Sequence, residues 1–491
     1  MRSRFSVLLI IFFSGAFLIT SCSKETNDRK IQKPPGAVKT LNEKTDGYRG
    51  VWYFNQKSND EYVYKYSGGL GTYCAKHRPF AVYSPQVDKT FFCYGGATED
   101  NNRQLLHMVS YFDHKTGKVP RPTLLLDKQT TDAHDNPVIS IDDDGHIWIF
   151  STSHGRERPS FIHKSAEPYD ISRFERIDAT YINDKGDRAN IDNFSYMQIH
   201  HITGKGFKAF FTIYHYPAER TICFTQSNDG VKWGEFIRLG AIEKGHYQIS
   251  EANERKAGTA FNMHPQEKDA NWRTNLYYLE TTDEGKSWQN IEGEKISVPI
   301  LKRNSEALVK DYASAGLNVY LKDIAFDEHG NPVILYITSR GYQAGPENDP
   351  RIWTIAAWDS NEWKISAVAQ SDNNYDMGSL YIMEGRWFII GPSMQGPQPY
   401  NPGGEVAMYA SDDRGKTCKM MRQLTKNSPR NHTYVRRPVN FNPDFMGFWA
   451  DGHGRKPSIS NLYFCNMAGY VFVLPRNMKG EFARPVMMNT R

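Results

Sequence analysis

The sequence predicts an all-β fold, a single seven-bladed β-propeller, on three observations. Short alternating apolar runs recur along the chain, with no long stretch of 3.6-residue period, so the pattern fits strands rather than helices. Aromatic residues make up 13% of the 491, a load that suits pleated, half-buried surfaces. Acidic-Gly turns punctuate the runs, and three share a pattern. Thr281-x-Asp283-x-Gly285-x-Ser287-Trp288 and Ser411-x-Asp413-x-Gly415-x-Thr417-Cys418 match the S-x-D-x-G-x-T-W Asp-box, and Ser227-x-Asp229-Gly230-x-x-Trp233 is a shortened relative. In such turns the Asp caps the backbone, the Gly takes the left-handed bend and the Trp packs between strands. Repeated hairpins of this kind belong to propeller blades.

The strands are justified in chain order. Val138–Ile141 and Ile147–Phe150 flank Asp142-Asp143-Asp144-Gly145 as one hairpin, and Val319–Phe326 and Val333–Thr338 flank Asp327-Glu328-His329-Gly330 as another. Phe207–Tyr214, Thr221–Gln226, Leu276–Thr281, Ile352–Trp358, Leu380–Ile382, Trp387–Ile390, Val406–Ala410, Phe445–Trp449 and Leu462–Cys465 are further strands. Seven blades over residues 46–491 give about 64 residues each, above the ~40–50 of common propeller repeats and so with room for loop insertions.

Residues 1–21 read as a lipoprotein signal peptide. Arg2 and Arg4 precede an apolar run, Phe5–Ile19, too short to span a membrane and suited to a signal core. The run ends in Leu18-Ile19-Thr20-Ser21-Cys22, which resembles a bacterial lipoprotein cleavage site with Cys22 as the lipidated residue. Residues 22–45 are polar and read as a flexible tether. The expectation is a monomer anchored to the outer membrane by lipid, facing the periplasm or the cell exterior.

Charge and cysteines narrow the function. The formal charge is +5, and +3 once Arg2 and Arg4 are removed, which gives no electrostatic case for nucleic acid. A preference for acidic ligands must come from a local cluster. Charged residues at 23% exclude a disordered chain and a multi-span membrane protein. Cys74, Cys93, Cys223, Cys418 and Cys465 are odd in number and show no zinc spacing, so most read as buried apolar residues. No cofactor is required, and a structural metal stays open.

Four clusters near strand ends carry candidate chemistry. In Cys74-Ala75-Lys76-His77-Arg78-Pro79, His77 suits acid/base work or backbone hydrogen bonding, with Lys76 and Arg78 as substrate ligands. In the second, His134 and His154 bracket one hairpin, whose outer ends meet, and Arg156 joins them as a carboxylate site or a structural pair. In the third, Tyr196 is an acid or base if cations depress its pKa, and otherwise a strand tyrosine, with Tyr214, His215 and Arg220 following. In the fourth, His432, Arg436, Arg437, His453 and Arg455 form an anion site or a solvated basic face. Together the clusters suit an anionic carbohydrate. No pair of glycosidase carboxylates stands out.

At these motifs the chain resembles the BNR-repeat propellers of Bacteroidota polysaccharide-degrading systems. The resemblance is carried by Asp46-Gly47-Tyr48-Arg49-Gly50-Val51-Trp52, Gly68–Pro79, Asp132–Arg156, Arg273–Trp288 and His432–Lys456. Two families share it: glycoside hydrolase family 145, α-L-rhamnosidases acting on rhamnose-α-1,4-glucuronate, and the propeller ulvan lyases of polysaccharide lyase families 24 and 25. The first implies a lone catalytic histidine, which His77 matches. The second implies two histidines about 20 residues apart, a Tyr and an Arg. His134, His154 and Tyr196 match, but the Arg expected near Tyr214-His215 is missing and Arg220 lies beyond. The expectation is therefore a rhamnosidase using His77 on a uronate- and rhamnose-containing glycan. A lyase is the alternative, and a non-catalytic glycan-binding lipoprotein the second.

Overall fold

The computed structural model describes residues 38–488 apart from 215, 216 and 384. The signal peptide, Cys22 and most of the tether lie outside the described residues. Among those described, the only helices are two single turns, Ala133–Asp135 and Pro346–Asn348, so the all-β expectation holds. None is long and apolar enough to cross a membrane.

The blade count of seven is corrected, because eight sheets have three or more strands. Seven of these contain at least four strands, and their first strands are Ala81–Ser84, Pro137–Ile141, Ser195–Ile202, Gln248–Ala252, Asn318–Phe326, Ser379–Met383 and Asn431–Arg436. The eighth is the three-stranded sheet of Arg188–Asn190, Thr180–Ile182 and Lys232–Glu235. Its strands are too short and polar to show apolar alternation, and Thr180–Ile182 pairs in parallel with a strand about fifty residues on, which local turn signals cannot reveal. The predicted tether also ends sooner than expected. Thr40–Lys44 is a strand paired with Thr123–Asp127 at the outer edge of the first sheet.

The first strands stand around the axis and are stitched to one another. Arg78 N–H donates to the Met197 carbonyl at 3.1 Å, Gln198 Nε2 to the Gln248 carbonyl at 2.9 Å, and Leu380 N–H to Asp323 at 2.9 Å. Val439 N–H donates to the Ala81 carbonyl at 2.9 Å and closes the ring between last and first sheets. One apolar core joins Phe92 and Phe112 to Phe445 and Phe464 across that closure. Pro332–Ser339, with sheet on both sides, is buried along its whole length, whereas the outer strand Lys419–Gln423 is mostly exposed. The turns picked out in the sequence are closed by their acids: the Asp283 carboxylate accepts from Ser287 N–H at 2.9 Å and Ser287 Oγ at 2.6 Å, while Gly285 takes φ +86°.

Buried ion pairs fill the axis. Arg78 binds Glu251 at 2.6 Å and Asp323 at 3.2 Å, and Arg437 binds the same two acids at 3.2 and 3.4 Å. Outside the blades, Trp52–Lys57 and Tyr64–Gly69 form a hairpin whose residues Lys65 and Tyr66 reach the pocket described next.

Candidate active site

A pocket open to solvent lies where the first strands begin. Each of the seven larger sheets contributes a ring ahead of or within its first strand: Tyr73, His134, Tyr196, Tyr247, Tyr320, Tyr375 and Tyr434. Local chain geometry aims them. The register shifts between Ser195 and Gln198 and between Thr433 and Arg436, and at these bulges Tyr196 and Tyr434 take φ +54° and +52°. Such backbone is costly for an aromatic residue and marks a position held by its surroundings.

His134 sits in the buried turn Ala133–Asp135, which Asp132 caps by accepting the His134 N–H at 3.0 Å. The facing strands pair Pro137 with Ser151, so His154 returns beside it. The two imidazoles stack at 3.9 Å between centroids. Asp132 Oδ1 accepts from His134 Nδ1 at 2.5 Å, and Oδ2 from His154 Nδ1 at 2.9 Å and Arg158 at 3.1 Å. A carboxylate only accepts, so both Nδ1 atoms carry the proton and both Nε2 atoms face away from Asp132. His134 Nε2 accepts from the hydroxyls of Tyr66 and Tyr73 at 2.8 and 2.7 Å. Burial and the neighbouring His154 hold His134 down to about 4, so it is neutral at physiological pH. Burial would raise Asp132, but the two imidazoles outweigh it and keep it ionised.

Arg220 completes this end. It lies directly opposite Tyr214 across the strand pair, lines the pocket, and sets its guanidinium 5.5 Å from the Tyr247 ring. Tyr214 donates to the Tyr196 hydroxyl at 3.2 Å, and Tyr247 is 3.5 Å from the same oxygen. Burial pushes the Tyr196 phenol well up. Burial acts likewise on Tyr247, but Arg220 and Arg273 beside it pull it below its ordinary value. Among the described residues no carboxylate lines the pocket, whereas Lys65, Lys76, Arg220, Arg273 and Lys322 all do. Asp132, His134 and His154 place ligand atoms within 4.8 Å of one another, but a cation there would displace the hydrogen bonds that orient the rings.

The other expected site residues are placed elsewhere. His77 is fully buried behind the pocket, 3.4 Å from Thr152 Oγ1, and burial holds it well below its ordinary value. It meets no solvent, so its assignment as the acid/base residue is corrected. Arg78 and Arg437 belong to the axial ion pairs, and Arg436 donates to the carbonyls of Cys74 (2.9 Å) and His77. His432 is held by Trp449 and Ser428, both at 2.9 Å. Arg455 binds Asn401 at 2.8 Å and the Pro399 carbonyl at 2.9 Å, and the Arg455 N–H donates to His453 Nδ1 at 3.0 Å. Arg156 is exposed, and Arg158, two residues on, holds Asp132 and Asp135 instead. None of the five residues expected in the fourth cluster lines this pocket; their neighbour Tyr434 does. Lys76 does line the pocket. Tyr247, Arg273, Lys65 and Lys322 escaped the sequence reading; for Tyr247 the available signal was its place just ahead of a first strand, whereas Lys322 lies in the middle of one.

The chain is 22% identical over 356 residues to an ulvan lyase of Nonlabens ulvanivorans, covering 64% of this chain and 71% of that one. It is 20% identical over 357 residues to an ulvan lyase of Alteromonas sp. (strain LOR), covering 64% and 68%. A solved PL25 ulvan lyase superposes with TM-score 0.64 at 15% identity over 87% of this chain and 96% of its own, and is also known bound to -[GlcA(1-4)Rha3S]-. Polysaccharide lyase Uly1 superposes with TM-score 0.59 at 12% identity, over 89% and 100%. These likenesses support the propeller fold. The model of the BNR repeat-containing family matches residues 100–371, more than half of the sequence, and the chain belongs to that family.

Proposed function

We propose that this protein is a polysaccharide lyase that cleaves beside a uronate by β-elimination, on a glucuronate- and rhamnose-containing glycan of the ulvan type. The observation that carries the reading is the convergence of His134, His154, Tyr196 and Arg220 on one pocket that no described carboxylate lines. Hydrolysis of a glycosidic bond ordinarily needs two carboxylates. Elimination needs a cation to neutralise the uronate, a base for its C5 proton and an acid for the leaving oxygen.

Arg220 takes the uronate carboxylate, which makes the C5 hydrogen removable. His154 Nε2, turned outward by the Asp132 bond to Nδ1, accepts that proton. The C5–H electrons form the C4=C5 double bond, the C4–O bond breaks, and the Tyr196 hydroxyl protonates the leaving oxygen. His134 keeps its neighbours in register by holding Asp132, Tyr66 and Tyr73. The ulvan lyases similar to this chain, one of them bound to a glucuronate–sulfated rhamnose chain, support the substrate class. A lipid anchor at Cys22 would place the enzyme at the membrane, facing polymeric substrate.

The test is incubation of the mature protein with a polysaccharide of glucuronate and sulfated rhamnose, following ultraviolet absorbance of the conjugated double bond and free rhamnose together. Absorbance without rhamnose is expected. Rhamnose without absorbance would overturn the lyase and restore a hydrolase.

A further inference from the structure

The far end of the pocket contains charge that the proposed elimination does not use. Lys76 donates to the Leu321 carbonyl at 2.8 Å and Lys322 to the Asn374 carbonyl at 2.6 Å, while Lys65 donates to the Asn271 side chain. Arg273 is 9% exposed, reaches only the Tyr375 hydroxyl at 3.3 Å, and leaves its Nε without a partner. Among the described residues none of the four has a carboxylate within ion-pair distance; Asp269 and Asp376 act on Lys65 and Lys322 from further away. Several other buried cations of this fold have acids, as Arg78 has Glu251 at 2.6 Å, Arg158 has Asp135 at 2.7 Å and Lys256 has Glu280 at 2.6 Å, whereas Arg436, like these four, is held by neutral oxygens. Buried cations held only by neutral oxygens are costly unless a ligand completes them.

We propose that Lys65, Lys76, Arg273 and Lys322 hold a second anionic group of the glycan, carried by the sugar next to the reacting uronate. The inference rests on the lyase reading for the first anion. Arg273 lies 4.5 Å from the Tyr247 ring and Arg220 lies 5.5 Å from the same ring, so the two guanidiniums stand within about 10 Å of each other. Neighbouring sugars of one chain bridge such a span. Tyr320 and Tyr375, 4.9 and 5.5 Å from Arg273, provide apolar surface for the sugar between. Burial and the adjacent guanidiniums bring Lys65 down to about 7, and burial brings Lys322 to about 7, so an arriving anion recharges both. The shared chemistry is an anion, and a sulfate ester or a second carboxylate can supply it.

Calorimetric titration of the full-length protein with three size-matched oligosaccharides tests this: one uronate with a sulfated neighbour, the same after desulfation, and one with uronates on adjacent sugars. The sulfated chain is expected to bind more tightly than the desulfated one, with proton uptake near neutral pH. Lys65→Gln and Arg273→Gln each shrink that ratio about tenfold, the weight of one charge-assisted hydrogen bond. A preference for the double uronate instead assigns the group to a carboxylate. Equal affinity for all three, or a variant loss equal on all three, overturns the proposal. Elimination on the same substrates separates the readings. Discrimination without a double bond sinks the lyase alone; a double bond without discrimination sinks the second anion site alone.

Discussion

His134 and His154, twenty residues apart in the chain, stack face to face at 3.9 Å and 16° and share the carboxylate of Asp132 through their Nδ1 atoms. The shared acid, which only accepts, fixes the tautomer of each. The pair is therefore built to turn both Nε2 atoms away from the shared acid, and His134 is held neutral.

Asp132→Asn tests that arrangement. The amide still caps the Ala133–Asp135 turn but cannot accept from both Nδ1 atoms with both its polar atoms. Elimination is expected to fall about 100-fold, within the range seen for loss of a general base's orientation, with far-ultraviolet dichroism unchanged. Activity within twofold of wild type would contradict the assigned role.

Arg220→Gln should cost more. It removes the cation proposed for the uronate, about 100- to 1,000-fold in kcat by analogy with a lost charge-stabilising donor. It also removes one of the two guanidiniums that lower Tyr247, so the alkaline limb of the pH–rate profile is expected to move up. Loss of rate with an unmoved limb would mean that Tyr247 does not set that limb.

Arg220 also shows where the sequence stopped being legible. The strands on either side of it were readable from alternation, as were the hairpin that joins His134 to His154 and the turn acids that close it. The Arg appeared misplaced because distance was counted along the chain. The register puts Tyr214 directly opposite Arg220 across the strand pair, so six residues of sequence become one step in space. His77 misled because it matched the lone histidine that the rhamnosidase resemblance implies: its neighbour Lys76 faces the pocket, but His77 is sealed behind it. Tyr247 and Arg273 were illegible because their importance lies in each other, 4.5 Å apart across blades.

Stability should fall as pH drops from about 6.5 to about 4. Burial holds His134 and His246 near about 4, and His163, His200 and His432 near about 3. In the unfolded chain they titrate near ~6.5. Between those values the unfolded chain binds protons that the folded one refuses, so acid favours unfolding. Asp372, raised by burial to about 6, acts in the opposite sense and offsets part of the loss. Melting temperature from dichroism at half-unit steps checks this, and a flat profile over that window would contradict it.

Gly285 and Gly293 make a matched pair for the turns. Both take φ +86°, but a Cβ at Gly285 would meet Phe224 at 2.6 Å, while one at Gly293 meets nothing within 4 Å. Gly293→Ala is expected to cost about 1 kcal/mol of backbone strain. Gly285→Ala adds the displacement of a buried ring, for about 2–4 kcal/mol in all. Urea midpoints compare them, and equal shifts would mean that the Phe224 contact relaxes freely.

Tyr196→Phe is the sharpest test of the chemistry. The hydroxyl stands between Tyr214 and Tyr247, and its ring is edge-on to both His134 and His154. Replacing it with hydrogen leaves the ring packing intact, so the fold and the bulge that holds φ +54° should survive. The proton for the leaving oxygen then has no source at that point, and the double-bond signal is expected to fall at least 100-fold while oligosaccharide binding changes little. His77→Ala, made in parallel, opens a cavity behind the pocket and should lower stability more than it lowers the rate of folded enzyme. If His77→Ala abolishes turnover in a folded protein while Tyr196→Phe retains it, the chemistry belongs to the buried histidine and the lyase assignment of this pocket fails.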